Sequence, residues 1–339
     1  MDNVFIDPAT GCDLVSENSE EGGETSWLKG GSGETFEVVN GIANLVFPKE
    51  LAEQDQEACA FYDGRADQYD DTLHLTFVTH GLDENETRHS FIEKLNLKES
   101  SKVLEIACGT GRDSVLIADL LGEGGELHLQ DLSSDMMRRC HDKLKDHEAV
   151  QSFALANAVH LPYRDNYFDA VYSFGALGEF SDQARALREM ARVTRPGGKV
   201  VVGDESVPVW LRDTEYYGIL KETNPMFAAE VPLQHLPVET RNTRIHYVIG
   251  QAFYLIEFEV GEGEPTANFD FPIPGARGGT YRSRYEGKLE GVTKETRELA
   301  WKAVGESGGD MHSWLDNVVR AAATESLKSG ERTDQLERH

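Results

Sequence analysis

The chain is short of positive charge. Its 339 residues carry 33 Lys and Arg against 60 Asp and Glu, a formal net charge of −27 at pH 7. Nucleic acids are held chiefly by basic surface, so no RNA or DNA substrate is expected. Cysteine is scarce as well. Cys12, Cys59, Cys108 and Cys140 contain no C-x-x-C pair, which speaks against a metal framework and for reduced thiols. No apolar run approaches the ~20 residues of a membrane span, and Met1-Asp-Asn lacks a basic export start. The expectation is a cytoplasmic protein, monomer or homodimer, with no membrane or metal partner. The length suffices for one sizeable core plus additions.

A third scarcity lies within the most informative stretch, Val103-Leu-Glu-Ile-Ala-Cys-Gly-Thr-Gly-Arg-Asp-Ser114. It reads as a strand, a glycine turn and the start of a helix that continues through the apolar run Val115–Leu121. Gly109 and Gly111 supply G-x-G, but Ser114 stands where a dinucleotide fingerprint has its third glycine. Glu105, in the strand just ahead, would repel a pyrophosphate and would complement a positive charge. The turn therefore favours a cationic adenosine ligand over a dinucleotide.

Strands and helices then alternate. Glu126–Asp131 reads as the second strand, with Asp131 about twenty residues past the glycines, where a carboxylate accepts ribose hydroxyls. Ser133 or Ser134 caps a helix whose apolar face is Met136 or Met137, Cys140 and Leu144. Ser152–Ala156 is the third strand, ending at Asn157-Ala158, where an amide can bond an adenine edge. Tyr167–Phe174 is the fourth, followed by a helix over Gln183–Thr194, a break at Arg195-Pro-Gly-Gly198 and a fifth strand over Lys199–Asp204. Thr243–Val260 reads as two last strands, antiparallel at the sheet edge. The fold class is α/β: a Rossmann-like, seven-stranded, mostly parallel sheet covered on both faces.

Residues Val103–Asp204 resemble the class I S-adenosylmethionine-dependent methyltransferases, in particular the ubiquinone-biosynthesis-like small-molecule branch. The resemblance rests on Leu104-Glu-Ile-Ala-Cys-Gly-Thr-Gly111, Asp131-Leu-Ser, Asn157-Ala-Val-His-Leu-Pro162, Phe168-Asp-Ala-Val171 and Arg192-Val-Thr-Arg-Pro-Gly-Gly198, five motifs in order. It implies S-adenosylmethionine as cofactor, held by Tyr62, Glu105, Ala107, Gly109, Gly111, Asp131, Leu132, Asn157, Ala158 and Phe174. The family usually has Asp where this chain has Asn157. The acceptor is not implied. An RNA or protein methyltransferase is the alternative within the class. A nicotinamide-dependent oxidoreductase and a non-catalytic partner-binding scaffold are alternatives outside it.

Additions flank this core of residues 101–265. Residues 1–50 resemble a small zinc-ribbon-like module that has lost its metal, since the first cysteine pair would fall at Asp7 and Thr10. Asn40-Gly41 marks a hairpin there. Residues 51–100 read as a helical cap, with Tyr62 and Tyr69 spaced to share a helix face and to close over the cofactor. Tyr69, His80 and Glu179 are the candidate catalytic groups, and Asp204 and Glu205 end the fifth strand where acceptor and cofactor would meet. Residues 266–327 hold an arginine-rich segment and a helix. Alternation over Thr280–Tyr285 predicts a strand presenting Arg282 and Arg284 to an anionic acceptor such as a carboxylate. The polar residues 328–339 read as an unstructured tail.

Overall fold

A computed structural model describes residues 4–17, 25–31, 33–286 and 292–336. The chain forms two compact units, Met1–Pro265 and Thr266–His339.

In the first unit the strands are β1 (Val15–Glu17), β2 (Thr25–Lys29), β3 (Thr35–Val39), β4 (Ile42–Asn44), β5 (Lys102–Ile106), β6 (Glu126–Asp131), β7 (Val150–Leu155), β8 (Phe168–Phe174), β9 (Thr194–Glu205), β10 (Thr240–Val248) and β11 (Phe253–Val260). They form one sheet in the order β1-β2-β3-β4-β7-β6-β5-β8-β9-β11-β10. The stretch β7-β6-β5-β8-β9 is parallel, while β11 runs antiparallel to β9 and β10 antiparallel to β11. These are the seven expected strands. The order reverses at β5, and a crevice opens beyond the carboxyl ends of the strands at such a switch point.

Among the described residues the sheet has eleven strands rather than seven, because the N-terminal module joins its edge. Its β4 pairs in parallel with β7, Ile42 opposite Phe153 and Asn44 opposite Leu155. The β3–β4 turn is the expected hairpin. Asn40 and Gly41 both have positive φ, 51° and 80°, as a two-residue turn matched to strand twist requires. At the positions of the absent cysteine pair, the Thr10 hydroxyl donates to the Asp7 carboxylate at 2.7 Å, so a hydrogen bond closes that turn.

The cap is helical as expected, in four pieces: Glu53–Tyr62, Ala66–Thr72, His74–Thr79 and Glu84–Ile92. Apolar residues pack on both faces of the sheet. Leu104 and Ile106 of β5 enter one cluster and Val103 the other. Side chains alternate along a strand, so Glu105 shares the face of Val103 and is buried there. Among the described residues no helix is long and apolar enough to cross a membrane.

The second unit departs from expectation at Thr280–Tyr285. Tyr281–Glu286 is a helix, not a strand. Thr280 bonds reciprocally with Ser283, a local capping arrangement that favours helix over alternation. Two longer helices follow, Lys294–Ser307 and Met311–Leu336, separated at Gly308 with φ 67°. The last helix thus runs to Leu336, through most of the stretch read as a tail. Residues 337–339 lie outside the described residues.

Candidate functional site

The turn after β5 is shaped by backbone that favours glycine. Ala107, Gly109 and Gly111 have φ of 53°, 55° and 82°. The two glycines serve different ends. A Cβ on Gly109 would meet nothing within 4 Å, whereas one on Gly111 would meet the Cys140 sulfur at 2.9 Å. Gly109 therefore borders open space. Gly111 packs the turn onto the helix Ser134–Leu144.

Two cavities meet over this turn. The first lies between the strand ends and the cap. Asp131, Leu132, Asn157, Ala158, Asp55 and Glu179 lie on its wall. Glu105, Asp113, Arg88, Arg112, Phe77 and Glu205 lie on that of the second. Tyr62, Tyr69, Ala107, Gly109, Phe174 and Gly175 border both. Nine of the ten expected cofactor contacts thus come together.

Asp131 ends β6 and is gripped by backbone. Its carboxylate accepts from Gly109 N–H and Ser133 N–H, each at 2.8 Å. Burial nonetheless pushes its pKa up to about 6, against the N–H groups of Ser133, Gly109 and Leu132 that favour the charge. Glu105 has less support. One of its carboxylate oxygens is buried without a hydrogen-bond partner, and burial, with Asp113 nearby, pushes its pKa well above the usual range. Asp113 is neutralised by Arg88, which donates to both its oxygens at 2.9 Å and to Glu84 at 2.8 Å. Arg112 pairs with Glu84 and Asp70.

A group with adenosine at one end and a cationic tail fits this lining. The acid at the end of β6 suits ribose hydroxyls, the orphaned oxygen of Glu105 suits an ammonium, and the bare Gly109 lets a ligand lie against the turn. No third glycine or cationic cradle offers a place to a pyrophosphate.

The cap helix Glu53–Tyr62 closes over the first cavity. Tyr62 and Tyr69 do not share a helix, because the chain breaks at Gly64 with φ 77°. Their rings still meet edge to face at 5.9 Å. The Tyr62 hydroxyl donates to Glu179 at 3.0 Å. Burial pushes the Glu179 pKa up to about 7, the Tyr62 hydrogen bond opposing and the charges of Asp204 and Asp131 adding. Glu205 borders the second cavity, whereas Asp204 is turned inward, accepting from Gly178 N–H and Glu205 N–H.

Three expected residues take other places. His80 borders neither cavity. Its ring nitrogens meet the Thr76 carbonyl at 2.8 Å and the Tyr216 hydroxyl at 3.1 Å, and its ring packs on Gly250, a supporting role. Arg282 and Arg284 belong to the second unit. There Arg282 pairs with Asp270 at 2.9 Å and Arg284 donates to the Gly278 carbonyl. A fourth, Asn157, lines the cleft, but its amide already donates to Asp55 at 2.9 Å and its carbonyl accepts from Val159 N–H. Sequence reasoning missed Asp55, Arg88 and Asp113. Nothing local marks Asp55, a first-turn acid like its neighbour Glu53.

The ubiE/COQ5 methyltransferase family model matches residues 53–228, just over half of the chain. The ubiquinone/menaquinone biosynthesis C-methyltransferase UbiE of Proteus mirabilis is 41% identical over 121 residues, 35% of this chain and 48% of that protein. Its counterpart in Chromobacterium violaceum is 38% identical over 130 residues, 38% of this chain and 53% of that protein. The chain thus spans about half the length of the curated relatives it matches. Among solved structures, Haemonchus contortus phosphoethanolamine N-methyltransferase 2 in complex with S-adenosyl-L-methionine aligns with 64% of this chain and 62% of its own, at 14% identity and a TM-score of 0.47. With a strand-ending acid, a G-x-G turn and a capped crevice at the switch point of its sheet, the chain belongs to the ubiE/COQ5 methyltransferase family.

Proposed function

We propose that this protein transfers the methyl group of S-adenosylmethionine, the cofactor of methyltransferases of its family, to a small-molecule acceptor. The observation that carries the reading is the pair of buried acids on either side of one glycine turn, Asp131 bordering one cavity and Glu105 the other. Asp131 and Gly109 would hold the adenosine half, and Glu105 the ammonium of the tail. When bound, the cofactor supplies an electrophilic methyl carbon on a sulfonium. The residues of the cleft would hold the acceptor's nucleophilic atom in line with that methyl group, and the sulfur would leave as S-adenosylhomocysteine. Tyr62 and Tyr69 exclude water above the turn.

The protein's main task is to hold the acceptor at near-attack distance. Where the acceptor carries a proton, Glu179 takes it. With a pKa of about 7, this carboxylate is matched to general-base work near neutral pH, and its rate contribution rises as pH passes 7. Tyr69 orients the acceptor from the shared wall. For the acceptor's charge, the lining favours a neutral or cationic molecule over a carboxylate. Arg88 and Arg112 are committed to acids, while Glu179 and Glu205 take side-chain hydrogen bonds from the neutral donors Tyr62 and Asn224. A carboxylate clamp at Arg282 and Arg284 has weaker support, since both guanidinium groups are engaged within their own unit.

The test is release of S-adenosylhomocysteine across a panel of small phenols, amines, thioethers and carboxylic acids, with calorimetry of S-adenosylhomocysteine and NAD alongside. Binding of S-adenosylhomocysteine with turnover of a neutral or cationic acceptor is expected. Tight NAD binding without it would overturn the reading.

A further inference from the structure

The cap helix delivers a carboxylate to the adenosine end of the cleft that the five family-like motifs do not contain. Asp55, in the first turn of Glu53–Tyr62, is buried and borders the first cavity beside Asn157. Its oxygens accept from Ser181 N–H at 3.0 Å, from the Ser181 hydroxyl at 2.7 Å and from the Asn157 amide at 2.9 Å. A carboxylate offers about four acceptor positions, so three are filled and one remains, on Oδ1. Asn157 has spent one N–H on Asp55 and its carbonyl accepts from Val159, which leaves it one N–H. Together the pair has one acceptor and one donor left over, and both residues line the cleft. Adenine's edge is the complement: an exocyclic amine that donates next to a ring nitrogen that accepts. Hypoxanthine has the reverse pattern, a carbonyl next to a ring N–H.

We propose that Asp55 is the residue that recognises the amino group of adenine, with Asn157 holding it and donating to the neighbouring ring nitrogen. The inference rests on the cofactor reading above and names the residue pair that selects its base. Because Asp55 sits on the cap helix and Asn157 follows β7, the base can be read only with the cap docked on the sheet.

The test is calorimetry of the full chain with S-adenosylhomocysteine and S-inosylhomocysteine. The parent should prefer the adenosyl ligand by about tenfold or more, since a mismatched buried donor or acceptor is rejected strongly. Asp55→Asn should shrink that preference to within about threefold. The exchange variant Asp55→Asn with Asn157→Asp keeps the hydrogen bond between the two residues and the acceptor that Ser181 N–H fixes on residue 55, but turns the donor at 157 into an acceptor, so it should abolish the adenosyl preference. A parent that binds both ligands alike overturns the proposal, as does an exchange variant that keeps the adenosyl preference, because a merely structural pair would leave the order unchanged. Should Asp55→Asn fail to fold, the exchange variant decides alone. Absence of any S-adenosylhomocysteine binding by the parent would refute the cofactor reading itself, and is distinguishable from binding without discrimination.

Discussion

At one end of the cleft, Asp131 is gripped by the backbone of its own strand end and of the glycine turn, so its geometry follows from the chain trace. At the other end, Glu105 has an oxygen with no partner, and the neighbouring Asp113 owes its charge balance to Arg88, a side chain from the cap. The first acid is placed by local structure and the second by a network assembled across the fold. The difference teaches where each kind of damage should appear. Backbone-held charge should be separable from stability, while network-held charge should not.

The strongest way to break this contrast is Arg88→Met. It leaves Asp113 buried without its cation, which costs about 3–5 kcal/mol. Urea unfolding should show the loss, with Arg88→Lys intermediate; an unchanged midpoint would mean that the network is not structural. Next in size is Asp131→Ala. Affinity for S-adenosylhomocysteine should drop on the order of 100-fold, and affinity for methylthioadenosine, which lacks the amino-acid tail, should drop equally. Glu105→Gln sharpens the contrast further. It should weaken S-adenosylhomocysteine about tenfold and leave methylthioadenosine untouched; equal losses would show that Glu105 does not meet the tail. The smallest effect is on Glu179. Its folded pKa of about 7 lies above its ordinary value of 4.5. Between those values the folded state holds a proton that the unfolded state has lost, so stability falls as pH rises through that window. Glu179→Gln cannot ionise and should be more stable than the parent by about 1 kcal/mol at pH 8, discounted for partial exposure, and no different at pH 4. Thermal melts at the two pH values read it directly.

The same contrast governs what the sequence made legible. The parallel core could be read because apolar strands, the G-x-G turn and capped helices are local patterns: Ser133 caps its helix, and Met136, Met137, Cys140 and Leu144 are its buried face. Asp131 was legible because its role follows from ending a strand. Asp55 was not, since its partner Asn157 lies 102 residues away. The packing need for glycine at 111 was not legible, since it comes from Cys140 on another helix. The strand expected around Arg282 failed for a different reason. Six residues after a glycine turn satisfy alternation and helix alike, and the Thr280–Ser283 bonds decide between them.

The three residues of β4 have a further consequence. With Leu45 N–H bonded to the Leu155 carbonyl, they cover the outer edge of β7 from Phe153 to Leu155. A chain trimmed before Leu45 would expose Phe153–Leu155 as a row of unpaired amides and carbonyls, a template for other chains. Removal of the N-terminal module should therefore appear first as concentration-dependent aggregation rather than as lost catalysis.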